Sequence, residues 1–127
     1  MLRMLTIAAL CVGAQAGAQV QTGNQLYDAC ASGEDVQLGF CIGYISGTWE
    51  GMKLGALQMA SIAASDMSTE EMDGLINEFL QVCMPALATG RQAIDISLEY
   101  IESNPSTRHE SARSLIHSAL REAFPCS

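Results

Sequence analysis

Apolar side chains recur at helical spacing along nearly the whole chain. In the last third they fall on one face of a helix, at Ala112, Leu115, Ile116, Ala119, Leu120, Ala123 and Phe124. Asn104 is a favourable N-cap and Pro105 suits the first helical position, so the pattern predicts a helix that begins there and ends at Pro125. Arg108 and His117 take the opposite, polar side of this predicted helix.

Shorter patterns predict further helices and loops upstream. The spacing over Asn24–Cys30 predicts a first helix, followed by a loop at Ala31–Glu34. The sequence Ser68-Thr69-Glu70-Glu71 is a capping box, which predicts the start of a third helix. Pro85 breaks the chain after that helix, so Val82–Gly90 should be a loop.

The segment Ile94–Tyr100 fits two kinds of secondary structure. Its apolar and polar residues alternate as in a strand, whereas Ile94, Leu98 and Ile101 fit a helix equally well. We favour a helix, because an isolated strand would have no partner in an otherwise helical chain. This fourth helix would meet the last one at Asn104-Pro105 as a tight αα-hairpin.

The second predicted helix, from Asp35 to about Ala63, contains a regular row of glycines. They occur at Gly39, Gly43, Gly47, Gly51 and Gly55. Each glycine costs a helix interior ~1 kcal/mol relative to alanine, so we expect compensation by close packing of another helix or a second subunit. A transmembrane helix is the alternative, but Glu50 and Lys53 interrupt the apolar run. Trp49 and Tyr44 are expected in the core or an interface.

The N-terminus has the layout of a secretory signal peptide. Arg3 precedes the mainly apolar run Met4–Val12, and the small residues Ala16-Gly17-Ala18 follow. The apolar run is too short for the alternative, a membrane anchor. We therefore expect residues 1–18 to be a cleaved signal peptide and residues 19–127 to be one helical domain.

Four cysteines remain after signal removal, at Cys30, Cys41, Cys83 and Cys126. An even count in a short exported chain is typical of disulfides. Antiparallel fourth and fifth helices would bring Cys83 near Cys126, in a bridge worth roughly 4 kcal/mol, and leave Cys30 with Cys41. Three pairings remain possible. The patterns together predict an all-α protein, a single small disulfide-stapled bundle of about five helices.

The net charge and the residue types that could bind a metal or catalyse a reaction limit the possible classes of function. The formal charge is −8, and it becomes −9 when Arg3 is removed with the signal peptide. A negative charge disfavours binding to nucleic acid and to anionic membranes, and it favours a basic protein partner. The alternative is that the acidic residues serve solubility alone. His109 and His117 lie eight apart, about 80° from each other on one predicted helix, so they do not form a metal-binding pair. With no catalytic constellation either, we expect no cofactor and no enzymatic activity.

Several short motifs occur along the chain in the same order as in a known protein family. They are Cys41-Ile42-Gly43-Tyr44-Ile45-Ser46-Gly47, Cys83-Met84-Pro85, Tyr100-Ile101 with Asn104-Pro105, Arg108-His109, and Ala119-Leu120 with Ala123-Phe124-Pro125-Cys126. This arrangement resembles the Rap/Tai-type immunity proteins. The resemblance implies an all-helical periplasmic protein, associated with type VI secretion, that binds a cell-wall amidase effector and occludes its active site. It also implies a homodimer.

The partner-binding residues are expected in the loop before the fourth helix. Since the helices are committed to packing, Met84, Leu87 and Thr89 are the candidates, with Trp49 as the alternative anchor if it is exposed. The alternative function is a small helical periplasmic chaperone or envelope-stress protein. Such a chaperone would expose apolar surface at low pH, whereas an inhibitor would remain folded.

Overall fold

The computed structural model describes residues 20–63 and 66–126, and this part of the chain contains five α-helices. They are α1 (Gly23–Ala31), α2 (Asp35–Ala63), α3 (Thr69–Leu80), α4 (Gly90–Ser103) and α5 (Ala112–Ala123). The all-α prediction with five helices is therefore confirmed. The predicted signal peptide, residues 1–18, lies outside the described residues.

Three helices begin with a capping box, in which a threonine or serine side chain and a side chain three residues later satisfy each other's backbone N–H groups. The pairs are Thr22 with Gln25, Ser68 with Glu71, and Thr89 with Gln92. Each N-cap is typically worth ~1 kcal/mol. The Ser68 box of α3 is the one that the sequence analysis predicts.

α2 is the central helix, because each of the other four packs against it. Its covered face carries Cys41, Ile45 and Trp49, all buried. The remaining helices supply the other large buried side chains, Leu26, Ile101, Leu115, Ile116 and Leu120. Burial of such a side chain contributes about 1.5–3 kcal/mol, so these contacts hold the bundle around α2.

The ambiguous segment after the loop is helical, as expected. In α4 the buried positions Ala93, Ser97 and Ile101 recur every four residues. The hydroxyl of buried Ser97 donates to the carbonyl of Ala93 at 2.7 Å, so this polar group is satisfied inside its own helix. The alternating pattern arises because Ile94 and Leu98 lie half-buried at the edges of the covered face.

The last helix is shorter than predicted. α5 begins at Ala112, after the N-cap residue Ser111, and Pro105–Thr107 forms a separate 3₁₀ turn. Asn104 does not start a helix but ends one, because its backbone N–H and side-chain amide both donate to the carbonyl of Tyr100, at 3.1 and 2.8 Å. The predicted tight hairpin is therefore wrong, and residues 104–111 form a longer connection between α4 and α5.

This connection is not helical because its backbone holds the start of α1. The carbonyls of Arg108 and Glu110 accept hydrogen bonds from the backbone N–H groups of Asn24 and Gly23, at 2.7 and 2.9 Å. The Arg108 guanidinium also lies over the ring of Tyr27, 3.7 Å from its centroid. Carbonyls that point toward α1 cannot form the i to i+4 ladder of a helix. Arg108 thus belongs to a tertiary contact and not to the polar side of α5.

Two disulfides staple the bundle, one between α1 and α2 and one between the loop after α3 and the end of α5. Cys30 is bonded to Cys41 with a Cα–Cα distance of 5.2 Å, and Cys83 to Cys126 with one of 5.0 Å. These are the pairings that the helix order favours. Beside the second disulfide, the Cys83 N–H donates to the carbonyl of Phe124 at 2.8 Å, so two bonds join the loop after α3 to the end of α5.

Within residues 20–63 and 66–126, the glycine row of α2 does not contact another helix. A Cβ atom placed at Gly39, Gly43, Gly47, Gly51 or Gly55 would meet nothing within 4 Å. Of the two expectations for this row, close packing by another helix of the chain is therefore wrong, and close packing by a second subunit stays a prediction. The covered face of α2 lies on the opposite side, at Cys41, Ile45 and Trp49.

Candidate partner-binding site

The loop between α3 and α4, residues 81–89, is held at both ends. The disulfide at Cys83 fixes its beginning to the end of α5. At its end, the hydroxyl of Thr89 accepts from the backbone N–H of Gln92 at 3.2 Å and caps α4. Between these points, the Ala88 N–H donates to the Pro85 carbonyl at 2.9 Å and closes a turn. The loop is therefore short and preorganised.

Leu87 lies in this turn, and its side chain is 93% exposed. Its neighbour Met84 is half-buried and packs against the core. A loop that is held at both ends can present the Leu87 side chain to a partner and lose little conformational freedom when it binds. Among the expected loop residues, Leu87 thus has the most exposed apolar side chain.

A groove of about 550 Å³ opens beside the loop, between α2 and α3. Its apolar lining includes Trp49, Leu54, Leu57, Ile76, Met84 and Pro85. Its polar lining consists of Glu50, Lys53, Asp73 and Asn77. The fold therefore brings together Trp49 and Met84, two residues that the sequence analysis names separately, and adds a face of α3 to them.

The surroundings of the groove are acidic. Lys53, the one basic residue in its lining, is bound to Glu50 at 2.7 Å and lies 5.6 Å from the centroid of the Trp49 ring. α3 contributes four carboxylates and no basic residue. The pKa of one of them, Glu71, is held below its usual value of 4.5 by hydrogen bonds from the Ser68 backbone N–H and hydroxyl. This side of the protein favours a basic partner surface.

The family model of the Rap1a immunity proteins matches residues 22–126, nearly the whole described chain. The chain belongs to this family. Membership makes it an immunity protein, a binding inhibitor of a secreted effector, and confirms the resemblance seen in the sequence motifs. No curated protein and no solved structure matches the chain significantly.

In this Rap1a family member, two of the expected binding residues have structural roles. Trp49 is only 7% exposed, so it forms the floor of the groove and cannot act as a projecting anchor. Thr89 is exposed, but its hydroxyl is engaged in the capping box of α4. Leu87 and the accessible part of Met84 remain the candidates for direct contact.

The contribution of α3 to the groove was not predicted from the sequence. Asp73, Ile76 and Asn77 follow i, i+3, i+4 spacing, so they lie on one helix face. The sequence shows this spacing. It does not show that this face of α3 turns toward Trp49 and Met84, because that orientation depends on how α3 packs along α2.

The histidines of this family member serve the packing of its helices or lie on its surface. The Nε2 atom of His117 is 2.7 Å from the Leu80 carbonyl, which links α5 to the end of α3. His109 is exposed and lies in the connection before α5. Within residues 20–63 and 66–126, no cluster of three or more His, Cys, Asp or Glu could hold a metal ion. In the same residues, no helix is both long and apolar enough to span a bilayer.

Proposed function

We propose that this immunity protein works in the periplasm, where it binds a type VI secretion peptidoglycan amidase and occludes its active site. The immunity role comes from the family, and the sequence motifs support an amidase as the effector. The signal-like segment Arg3–Ala18 supports export. A peptidoglycan hydrolase acts outside the cytoplasmic membrane, so its inhibitor must be there as well.

The exposure of Leu87 on a preorganised loop carries the proposal for how the inhibitor works. Leu87 enters the active-site cleft of the amidase, and the turn closed by Pro85 and Ala88 follows it to the cleft mouth. Because the loop is already ordered, binding sacrifices little conformational entropy. Occlusion requires no chemistry from the inhibitor, only that the substrate and the loop cannot occupy the cleft together.

The groove beside the loop receives the rim of the amidase cleft. Its apolar floor at Trp49 and Ile76 suits an apolar side chain, and Asp73 at its wall suits a neighbouring lysine or arginine. The acidic α3 steers a basic effector toward this side. Higher salt should therefore slow association more than it speeds dissociation.

Substitution of Leu87 tests this arrangement. Leu87→Glu places a charge where the cleft requires an apolar group, so we expect the affinity for the amidase to fall on the order of tenfold or more. The melting temperature should not change, since the side chain is almost fully exposed. Ile62→Glu is the matched control, because Ile62 is an 83% exposed apolar residue of α2 outside the loop and groove.

The measurement is the equilibrium dissociation constant of each variant with the purified amidase, by surface plasmon resonance or calorimetry. A loss for Leu87→Glu but not for Ile62→Glu supports entry of the loop into the cleft. Equal affinities for both variants would show that the amidase is bound by another surface.

A further inference from the structure

A pocket of about 290 Å³ lies between α2, the end of α3 and α5. Three apolar and three polar side chains line it, and they are Met52, Phe79, Leu80, Arg113, Ser114 and His117. We refer to these six residues as the basic pocket. None of them lines the groove beside the Leu87 loop, and α5 contributes nothing to that groove. The basic pocket is therefore a second concave surface, separate from the one proposed for the effector.

The positive charge beside this pocket contrasts with the rest of the chain. The protein carries a formal charge of −8, and α3 alone has four carboxylates. On α5, Arg113, His117 and Arg121 follow one another at intervals of four residues along one face, and the helix has a single carboxylate, Glu122. Among the five described helices, α5 alone has more basic than acidic residues. An anionic group would therefore find its most favourable surroundings on α5.

Arg113 is a basic residue whose position the packing of the bundle does not explain. In the described part of the chain, Lys53 and Arg91 each form an ion pair, and the Arg108 guanidinium donates to two backbone carbonyls. Arg113 and Arg121 form neither kind of contact there. Arg121 lies in the last turn of α5, where the helix dipole favours a cation, but Arg113 lies in the first turn, where the dipole disfavours one. The Arg113 guanidinium therefore adds nothing to the stability of α5 and is available to a ligand.

The other walls of the basic pocket are already in place. The Nε2 atom of His117 lies 2.7 Å from the Leu80 carbonyl oxygen, and because this oxygen can only accept, the hydrogen is on Nε2 and the bond fixes the imidazole ring. Beside this ring, the Phe79 side chain is 54% exposed, and Met52 is half-buried. The pocket thus offers accessible apolar surface next to an unpaired guanidinium.

We propose that the basic pocket binds the C-terminus of a peptide whose last side chain is large and apolar. A C-terminal residue carries a carboxylate and a side chain on the same Cα atom, so it presents an anion and an apolar group side by side. The carboxylate accepts two parallel hydrogen bonds from the Arg113 guanidinium and a third from the Ser114 hydroxyl. The side chain covers Phe79 and Met52. A volume of about 290 Å³ is small for a ligand pocket, which suits one residue and not a long segment.

The net charge of the protein favours a single carboxylate over larger anions. A nucleic acid or an anionic membrane carries many negative charges, so a protein with a charge of −8 repels it as a whole. A single carboxylate responds mainly to the charges within ~8 Å, the Debye length at physiological ionic strength. An internal Asp or Glu of a partner would bring a carboxylate without an apolar group on the same residue and would leave Phe79 uncovered. The proposal does not depend on the identity of the effector, since the two sites share no residue.

The histidine ring signals in NMR spectra of the disulfide-bonded protein report binding to this pocket. The chain has two histidines, of which His117 lines the pocket, whereas His109 is exposed and lies outside it. The probe is an acetylated tetrapeptide of three glycines and a C-terminal leucine with a free carboxylate. We expect it to shift the His117 signals in a saturable way and to leave those of His109 unchanged.

Two matched peptides separate the contributions of the carboxylate and the side chain. One carries a C-terminal amide in place of the carboxylate, and the other carries glycine in place of the leucine. Each should bind on the order of tenfold more weakly than the probe, because one loses the charge-assisted hydrogen bonds and the other loses the apolar contact.

Substitution of Arg113 tests the protein side of the contact. Arg113→Gln should weaken binding of the probe on the order of tenfold, whereas Arg121→Gln, which changes an exposed arginine of the same helix outside the pocket, should not. Both side chains are exposed, so both variants should remain folded, which circular dichroism checks. Arg113→Gln should inhibit the amidase as well as the unmodified protein does, so failure of this proposal leaves the proposed function untouched.

Three results would overturn the proposal. The first is the absence of a His117 shift at millimolar concentrations of the probe. The second is equal binding of the amidated peptide, or equal binding of the probe by Arg113→Gln, since the pocket would then not recognise a carboxylate. The third is tighter binding of a soluble muropeptide than of the tetrapeptide, since the carboxylate would then come from the cell wall.

Discussion

Gly23 and Gly74 are both helical glycines, but their surroundings are opposite. A Cβ at Gly23 would collide with Leu115 Cδ1 and would lie 2.9 Å from the Arg108 carbonyl oxygen, so the start of α1 sits directly on α5 and on the connection before it. A Cβ at Gly74 would meet nothing within 4 Å. The first glycine is required by close packing, whereas the second lowers the stability of its helix, and no described residue contacts it closely in compensation.

This contrast predicts opposite effects of the same substitution. Gly23→Ala should lower the free energy of unfolding by about 1–3 kcal/mol, because backbone and a buried leucine must shift. Gly74→Ala should raise it by up to about 1 kcal/mol through helix propensity. Urea unfolding followed by circular dichroism measures both. A Gly23→Ala protein as stable as the unmodified one would mean that α1 does not dock as described.

Local signals determine where most of the elements begin, and long-range contacts decide the exceptions. The Ser68 box and the break at Pro85 could be recognised in the sequence because both act over a few residues. Asn104-Pro105 has an equally good local signal for a helix start, yet α5 begins at Ala112. The reason is distant in sequence, since the carbonyl of Arg108 serves the first turn of α1. A local sequence pattern cannot reveal a distant segment that takes up the backbone carbonyls a helix would need.

Thr89 shows the same distinction between a local role and a binding role. Its hydroxyl caps α4, so Thr89→Ala should lower the free energy of unfolding by ~1 kcal/mol, and any loss of amidase binding should follow from a looser loop. Thr69→Ala, at the first position of α3 just inside its cap, is the control and should have little effect. Thermal melts of the two variants measure the difference. Equal melting temperatures would show that the cap contributes nothing and would return Thr89 to the candidates for direct contact.

For the molecule as a whole, the sequence indicates the class of fold and the disulfides better than it indicates the binding surfaces. Cys83 meets Cys126 because α4 and α5 run antiparallel, which the helix order suggested. The groove formed by Trp49, Asp73 and Met84 was not foreseen, because it requires the position of α3 on α2. The glycine row was recognised, but the sequence could not show whether its cover comes from the same chain. The structure leaves it open on the side away from the core.

The surface that we propose for the effector consists of Leu87 and the acidic groove beside it. The disulfide between Cys83 and Cys126 holds the loop that carries Leu87 against the end of α5. The position of this surface therefore depends on the packing of the whole bundle and not on the loop alone.

Inhibition by occlusion can be measured by titrating a purified type VI secretion amidase with the disulfide-bonded protein and following peptidoglycan hydrolysis. We expect the hydrolysis rate to fall linearly and to reach zero at one inhibitor chain per amidase, with no recovery over time, because the cleft is blocked and the inhibitor is not consumed. Activity that persists at a large excess of inhibitor would show that the protein does not occlude the cleft, and inhibition that is equally strong with Leu87→Glu would show that Leu87 does not enter it.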